Sequence, residues 1–240
     1  MNKKKIAVVT GGTRGIGLAI ATGLADNGHR VIALARTAPP EPLTGVEAMV
    51  CDITKPDRVK TAFATIGPVD ILINNAGIST SDAVGRTTVD DWNRNLAVNA
   101  TGAFLCIREV IDQMQMRGWG RVVTVASTAA VEGARYTAAY SASKHAVLGL
   151  MRVLAAEVDG KGVTSNTVCP TFVRTPMTEA TISNIAARTG SDLATAEQRL
   201  SSVTPHGRIL EIHEVADAVL SLVASDEHGR EVLLDGGEQP

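Results

Sequence analysis

Residues 6–17 read IAVVTGGTRGIG, a short apolar run followed at once by a glycine-rich stretch. The β-branched run over residues 6–10 predicts a buried strand, and residues 15–27 predict a helix that stops at Gly28. Glycines at such a junction let the backbone turn tightly and approach an anion. The free N–H groups at the start of the helix favour negative charge. The G-x-x-x-G-x-G spacing over residues 11–17 therefore predicts a phosphate-binding loop.

The alternation of apolar strands with amphipathic helices continues along the chain. Further strands are predicted over residues 30–35, 46–51, 69–74, 121–126, 163–169 and 231–234. Further helices are predicted over residues 56–66, 89–95, 102–117, 138–159 and 211–225. Continuous Val/Ile strands between helices indicate a parallel sheet covered on both faces, and right-handed crossovers then make it doubly wound. We predict a single α/β domain over residues 1–240, a Rossmann-type, seven-stranded parallel sheet flanked by helices.

One segment, residues 178–205, interrupts this alternation. It is polar, rich in Ala and Thr, and predicts two short helices between a strand end and the next helix. Such a segment lies over the carboxyl edge of the sheet, where open α/β sheets bind ligands. We interpret it as a substrate lid; the alternative is a helical insertion without a role in binding.

Composition excludes several classes of protein. The chain has 240 residues, 45% hydrophobic and 20% charged, with a formal net charge of −2. This balance is typical of globular domains and provides no basic field for nucleic acid. No apolar run approaches the roughly 20 residues of a membrane span, and the start has no signal-peptide pattern. The three cysteines are far apart, which argues against a thiolate metal site and predicts a reducing, cytoplasmic environment.

The end of the second predicted strand bears on the choice of dinucleotide. An NAD site usually has an acidic residue there, which binds the ribose hydroxyls. Residues 35–37 are instead Ala-Arg-Thr, and Arg14 of the glycine loop adds a second cation. Guanidinium groups suit a 2′-phosphate, so Arg36 and Arg14 predict that NADP(H) is preferred over NAD(H). The alternative is that both arginines are solvated surface residues.

A tyrosine and a lysine open the longest predicted helix. Tyr140 and Lys144 are four residues apart and therefore share one helix face. An ammonium beside a phenol would stabilise the phenolate and lower the pKa of Tyr140, making it a usable acid or base near neutral pH. Ser127 ends the fifth strand, and Asn99 follows a helical stretch. Taken singly, a core Tyr–Lys pair, a capping serine and a backbone-binding asparagine would also explain these residues.

Together, these motifs resemble the short-chain dehydrogenase/reductase family in its single-domain form. They occur in the family's order and cover nearly the whole chain. The matching stretches are residues 10–17, Asp52, residues 74–77, Asn99, Ser127, Tyr140, Lys144, residues 170–175 and residues 235–237.

The resemblance implies catalytic roles. Tyr140 exchanges a proton with the carbonyl or alcohol oxygen of the substrate, and Ser127 holds that oxygen by a hydrogen bond. Lys144 binds the nicotinamide ribose and lowers the pKa of Tyr140. Asn99 anchors a water chain that carries protons to Lys144.

The resemblance also implies a cofactor site. Asp52 and Ile53 flank the adenine, residues 75–77 follow the adenosine side, and Val173 and Thr175 contact the nicotinamide amide. The implied cofactor-binding residues are Gly11, Thr13, Arg14, Gly15, Ile16, Gly17, Arg36, Asp52, Ile53, Asn75, Ala76, Gly77, Tyr140, Lys144, Pro170, Val173 and Thr175.

The pattern most resembles 3-oxoacyl-carrier-protein, acetoacetyl-CoA and polyketide reductases. It implies reduction of a 3-oxoacyl thioester to a secondary alcohol by a homotetramer or homodimer, without nucleic acid, membrane or metal. The alternatives are dehydrogenation of a hydroxyacyl-CoA, a free ketone or a cyclic alcohol, and, more distantly, an inactive dinucleotide-binding regulator. The chain departs from the family at Thr171, where glycine is usual, and in the short stretch 225–229 before the last strand.

Overall fold

The computed structural model describes residues 4–237, and within them the chain forms a seven-stranded sheet. Every pair of neighbouring strands is parallel, in the order β3-β2-β1-β4-β5-β6-β7. This confirms the predicted doubly wound parallel sheet. The strands are β1 (Ile6–Thr10), β2 (Arg30–Ala35), β3 (Val46–Val50), β4 (Ile71–Asn74), β5 (Gly120–Val125), β6 (Val163–Pro170) and β7 (Glu231–Leu234).

Helices cover both faces of this sheet. On one face, residues of α1 and α8, such as Ile20 and Val219, pack in one cluster with the strands. On the other face, α2, α4 and α5 do so through residues such as Phe63, Met114 and Leu154. The helices are α1 (Gly15–Asp26), α2 (Pro56–Ile66), α3 (Val89–Leu96), α4 (Gly102–Arg117), α5 (Ala138–Val158), α6 (Pro176–Thr189), α7 (Leu193–Ser201) and α8 (Ile212–Ala224).

Two local features differ from the sequence expectation. β4 begins two residues later than predicted, at Ile71, and the carboxylate of Asp70 just before it accepts a hydrogen bond from the backbone N–H of Ile6 at 3.0 Å. The predicted break between the third and fourth helices is absent. A π-helical turn over Ala97–Thr101 joins α3 to α4. Gly102 starts α4, and a Cβ at this position would overlap the side chain of Ile53. Because glycine has no Cβ, the helix can pass close beneath the loop that follows β3.

The segment predicted as a lid forms α6 and α7. These two helices have a small apolar cluster of their own, which includes Ile182, Ala186 and Leu200. The chain just before this segment and the chain just after it are joined by a parallel β-bridge between Val173 and Leu210.

The carboxyl ends of β1 and β4 are joined by side-chain hydrogen bonds at the point where the strand order reverses. The hydroxyl of Thr10 accepts from the backbone N–H groups of Asn75 and Ala76, each at 3.0 Å. The amide of Asn75 donates to the carbonyls of Thr10 and Gly11, at 3.0 and 3.3 Å. Ligands bind at such switch points in open α/β sheets. No helix within residues 4–237 is long and apolar enough to cross a membrane.

Gly17 tests this junction, because a Cβ there would overlap the carbonyl of Gly11 and the amide of Asn75. We expect Gly17→Ala to lower the free energy of unfolding by about 1–3 kcal/mol, the usual effect of overpacking, and to weaken dinucleotide binding. Urea unfolding and fluorescence titration with a reduced dinucleotide measure the two effects. The control is Gly85→Ala, where a Cβ meets nothing within 4 Å. Equal behaviour of the two variants would contradict the argument.

Candidate active site

The glycine loop forms a cradle at the N-terminus of α1. Gly11 and Gly15 have φ of 65° and 54°, a conformation that favours glycine. Arg14 is the N-cap residue of α1, and its side chain makes no capping hydrogen bond to the first helical turn. A Cβ on Gly15 would meet nothing within 4 Å, so the space beside the helix end is open. Free backbone N–H groups beside open space fit a diphosphate group.

A second part of the cradle lies beside the ends of β2 and β3. Arg36 is exposed there, and Asp52 is half-buried. Burial opposes ionisation of Asp52, but hydrogen bonds from Thr54 and the charges of Lys55 and Arg36 outweigh it and hold the pKa below its ordinary value. The residues line a cavity of about 200 Å³. Its lining consists of Arg36, Asp52, Thr54, Ile78, Arg94, Ala97 and Val98.

These features fit a dinucleotide. The loop offers uncapped N–H groups for a diphosphate, and the cavity offers a carboxylate and cations for an adenosine and its phosphate. Ile53 is buried beneath the cavity region against Gly102. Thr13 and Ile16, also expected at the cofactor, are half-buried in the glycine loop and the first turn of α1.

Ser127, Tyr140 and Lys144 come together beyond the carboxyl end of β5. Ser127 follows this strand in extended conformation, and its hydroxyl accepts from the backbone N–H of Ala129 at 3.1 Å. Tyr140 lies in the first turn of α5, and its hydroxyl is close enough to the Ser127 side chain for Ser127 to affect its pKa. The buried Lys144 Nζ donates to the carbonyl of Val125 at 3.0 Å and lies 5.7 Å from the centroid of the Tyr140 ring. Two hydroxyls beside an ammonium can hold a substrate oxygen and exchange a proton with it.

The pKa values in this cluster differ from the sequence expectation. Burial raises the pKa of Tyr140 above its ordinary value, although the nearby Ser127 side chain acts in the opposite direction. Burial also lowers the pKa of Lys144 to about 8. The expected lowering of the Tyr140 pKa by Lys144 is therefore not seen in this structure. The physical reason is that desolvation disfavours the charged form of both groups, and the ammonium is directed at Val125.

Asn99 is buried in the π-helical turn and uses its side chain to hold the loop after β4. Its Oδ1 accepts from the backbone N–H of Ile78 at 2.9 Å, and its Nδ2 donates to the Ile78 carbonyl at 2.9 Å. Nδ2 also donates to the Ser143 hydroxyl at 2.8 Å. Gly77 lies between this network and the lysine. A Cβ at this position would be 3.4 Å from Asn99 Oδ1 and 3.6 Å from Lys144 Nζ.

The segment after β6 lies beside the same edge of the sheet. Pro170 ends the strand, Val173 is buried, and Thr175 caps α6 by accepting from the backbone N–H of Thr178. Thr171 donates its backbone N–H to the carbonyl of Leu234 at 2.9 Å, which extends the pairing with β7. Its φ is not positive, so the backbone accommodates a side chain where the family usually has glycine.

Sequence reasoning did not predict the contacts of several residues in this region. Thr10 closes the switch point, and Ser143 is completely buried against Asn99. Cys169 is completely buried near Tyr140 and Lys144, and burial raises the pKa of its thiol to about 11. In the sequence, these residues are only small side chains at a strand end or inside a helix. Such residues are common in proteins, and the sequence does not indicate which group they contact. Within residues 4–237, no group of three His, Cys, Asp or Glu side chains is arranged to hold a metal ion.

Comparison with known proteins decides the family. The short chain dehydrogenase family matches residues 5–186. The chain belongs to the short-chain dehydrogenase/reductase family. Its fold is that of an oxidoreductase of this family.

Individual relatives cover almost the whole chain. It is 34% identical to the D-beta-hydroxybutyrate dehydrogenase of Rhizobium meliloti, over 97% of this chain and 98% of that protein. It is 37% identical to the granaticin polyketide synthase putative ketoacyl reductase 1 of Streptomyces violaceoruber, over 93% and 88%. The crystal structure of a variant of actinorhodin polyketide ketoreductase with NADPH superposes with a TM-score of 0.90 at 31% identity, covering 99% of this chain and 98% of that one.

The buried ammonium of Lys144 makes a prediction about stability and pH. Its pKa is about 8 in the folded protein and returns to its higher ordinary value on unfolding. Below pH 8 folding therefore carries a desolvation cost on the order of 3 kcal/mol, which fades as the pH rises towards 10 because the folded state loses the proton first. We expect the difference in unfolding free energy, Lys144→Met minus the unsubstituted protein, to be larger at pH 7 than at pH 9.5. Urea unfolding at the two pH values measures this difference. Lys161→Met, at an exposed lysine, is the control. A pH-independent difference for Lys144→Met would reject the buried charge.

Proposed function

We propose that this protein reduces a ketone to a secondary alcohol with NADPH, and that its substrate is a 3-oxoacyl thioester carried on acyl-carrier protein, CoA or a polyketide-type carrier. The observation that carries the proposal is the meeting of Ser127, Tyr140 and Lys144 at the carboxyl edge of the sheet that also bears the dinucleotide cradle. This arrangement supports a proton donor and a dinucleotide site on the same edge.

The proposed roles follow from the contacts. Ser127 holds the carbonyl oxygen of the substrate, and Tyr140 donates its proton to that oxygen as negative charge develops. The burial that raises the pKa of Tyr140 keeps the phenol protonated at neutral pH, which suits a proton donor. Lys144 binds the nicotinamide ribose, and Asn99 keeps the neighbouring loop in place and anchors a water chain to the lysine. NADPH, when bound, supplies the hydride.

The proposed preference for NADP(H) rests on charge. Arg36 lines the adenosine cavity and Arg14 stands at the start of α1, and both are exposed. The cavity carries no acidic residue at the end of β2, where an NAD site would bind the ribose hydroxyls. A relative that superposes over 99% of this chain is recorded with NADPH, which supports the same choice.

The substrate class rests on the relatives' names together with the site. Two of the relatives carry the name putative ketoacyl reductase, one of them from a polyketide synthase. Another is an acetoacetyl-CoA reductase that is 32% identical. A second candidate is dehydrogenation of a small hydroxy acid or another secondary alcohol, because the hydroxybutyrate dehydrogenase matches over 97% of this chain. A panel of acetoacetyl-CoA, acetoacetate and cyclic ketones distinguishes the two.

Three further proposals complete this picture. The segment 178–205 acts as a lid over the substrate. This is supported by its separate apolar cluster and by the β-bridge between Val173 and Leu210 on either side of it. The protein assembles as a homotetramer or a homodimer, supported by exposed apolar residues on α4 and α5: Phe104 is 45% and Val153 is 56% exposed. It acts in the cytoplasm, without nucleic acid or membrane partners.

Replacing the proton donor tests the mechanism. We expect Tyr140→Phe to lower kcat for acetoacetyl-CoA reduction about 10²- to 10⁴-fold, since general acid catalysis contributes about that much, and to leave the Kd of NADPH nearly unchanged. Loss of NADPH absorbance and fluorescence titration measure the two. The control is Tyr136→Phe at the only other tyrosine of the chain, which is 55% exposed. Unchanged turnover in Tyr140→Phe would refute the assignment.

Reversing the charge at Arg36 tests the cofactor. Loss of a charge-assisted hydrogen bond costs about 1.5–3 kcal/mol, so Arg36→Asp should raise the Kd of NADPH about 10- to 100-fold and change that of NADH little. Calorimetric titration with both dinucleotides measures the ratio. Arg30→Asp makes the same charge reversal at the other end of β2 and should leave the ratio of the two Kd values unchanged. Equal weakening of both dinucleotides in Arg36→Asp would eliminate the phosphate role.

A further inference from the structure

Ser143 occupies a completely buried position between two residues of the active site. It lies in α5 between Tyr140 and Lys144, and its exposed fraction is 0%. Its hydroxyl donates to the backbone carbonyl of Tyr140 at 2.7 Å. The same oxygen accepts from Nδ2 of Asn99 at 2.8 Å. One hydroxyl therefore connects the backbone of the proposed proton donor with the side chain of Asn99, which lies 44 positions before Ser143 along the chain.

Each polar atom in this network has a defined partner. A hydroxyl has one hydrogen to donate, and that of Ser143 goes to Tyr140. The amide nitrogen of Asn99 has two hydrogens, which go to the Ile78 carbonyl and to Ser143. The Asn99 oxygen accepts from the Ile78 backbone N–H. Removing the Ser143 hydroxyl would leave a buried donor on Asn99 without its partner, and buried groups left unpaired carry a full desolvation penalty.

The bond to Tyr140 acts on the turn that carries the catalytic pair. A serine that binds the carbonyl of the preceding turn alters the local path of its helix. Here the affected turn is the one between Tyr140 and Lys144, whose side chains must meet the same substrate and cofactor. The bond to Asn99 then ties this turn to the π-helical turn and, through Ile78, to the loop after β4. The Ser143 hydroxyl thus provides a direct hydrogen-bonded link between α5 and the residue that holds that loop.

We propose that Ser143 is a positioning residue, which holds Tyr140 in its working orientation by linking the first turns of α5 to Asn99. The proposal rests on the proposed role of Tyr140 as proton donor. A serine that only satisfied its own helix would need the bond to the Tyr140 carbonyl and nothing more. The second bond, to a side chain of another element, is what the purely local role does not explain.

Observing Tyr140 directly tests this without knowledge of the substrate. The chain has only two tyrosines, so protein labelled with [¹³Cζ]tyrosine gives two resonances, and Tyr136→Phe identifies the one from Tyr140. In Ser143→Ala we expect this resonance to move at pH 8, and the pKa of Tyr140 to fall towards its ordinary value by about half a unit or more. The reason is that water entering beside a loosened turn reduces the desolvation that raises this pKa.

The matched control is Ser141→Ala. Ser141 is also buried in α5, but its hydroxyl bonds to Thr137 at the start of the helix and not to Asn99. We expect its Tyr140 resonance to match that of the unsubstituted protein. Ser143→Cys keeps the shape of the side chain, with a somewhat larger sulfur and a much weaker hydrogen bond. It should reproduce the effect of Ser143→Ala if that variant folds poorly.

Kinetics with acetoacetyl-CoA and NADPH provide the second measurement. We expect kcat to fall about 10-fold in Ser143→Ala, as for loss of one buried hydrogen bond near the upper end of its usual range, with the Kd of NADPH within about twofold. An unchanged Tyr140 resonance and pKa in both Ser143 variants, with or without loss of melting temperature, would overturn the proposal. Absence of turnover with acetoacetyl-CoA in the unsubstituted protein would count against the proposed substrate only, since the tyrosine measurement does not use it.

Discussion

The clamp between the ends of β1 and β4 is the interaction on which the rest of the site depends. Thr10 and Asn75 bind each other's backbones across the point where the strand order reverses. The glycine loop leaves β1 at this point, and the loop that carries Gly77 and Ile78 leaves β4 beside it. Because Gly17 packs directly against the same clamp, the position of α1 is set by it as well. A side chain at that glycine would overlap the Gly11 carbonyl and the Asn75 amide, and would therefore disturb the junction between the glycine loop and the loop after β4.

Burial determines the electrostatics of the proposed site. Tyr140 and Lys144 lie where desolvation disfavours the charged form of each, so the phenol resists ionisation and the ammonium gives up its proton more readily than usual. The tyrosine therefore stays protonated at neutral pH, as a donor requires, while the lysine can lose its proton in a range accessible to the enzyme. The nearby Ser127 opposes the shift of the Tyr140 pKa without cancelling it, and the Lys144 ammonium donates to the Val125 carbonyl. The chemistry proposed for the pair thus depends on the apolar sheet beneath it.

The polar network around Asn99 shows how one buried amide can connect three elements. Its side chain binds the loop after β4 through Ile78 and α5 through Ser143, while its own backbone lies in a π-helical turn. Such turns are rare in helices and often occur at functional positions. Here the extra residue lets the helix continue while Asn99 remains directed at the loop. The same saturation of hydrogen bonds explains why the Asn99 side chain has no further N–H to offer to a substrate.

Much of this protein could be predicted from its sequence. The run of residues 6–17, the apolar strands and the spacing of Tyr140 from Lys144 depend on local periodicity, and the strands and helices formed within a few residues of their predicted limits. These patterns determine the doubly wound sheet, the family and the place of the dinucleotide loop. The sequence patterns could not predict the direction of the pKa shift at Tyr140. A Tyr-x-x-x-Lys spacing shows that an ammonium is near, but it does not show how much water is excluded. The partner of Ser143 was equally invisible, because a serine inside a helix is common and Asn99 lies 44 positions away. Local propensity and spacing are encoded along the chain, whereas desolvation and long-range hydrogen bonds exist only once distant segments have packed together.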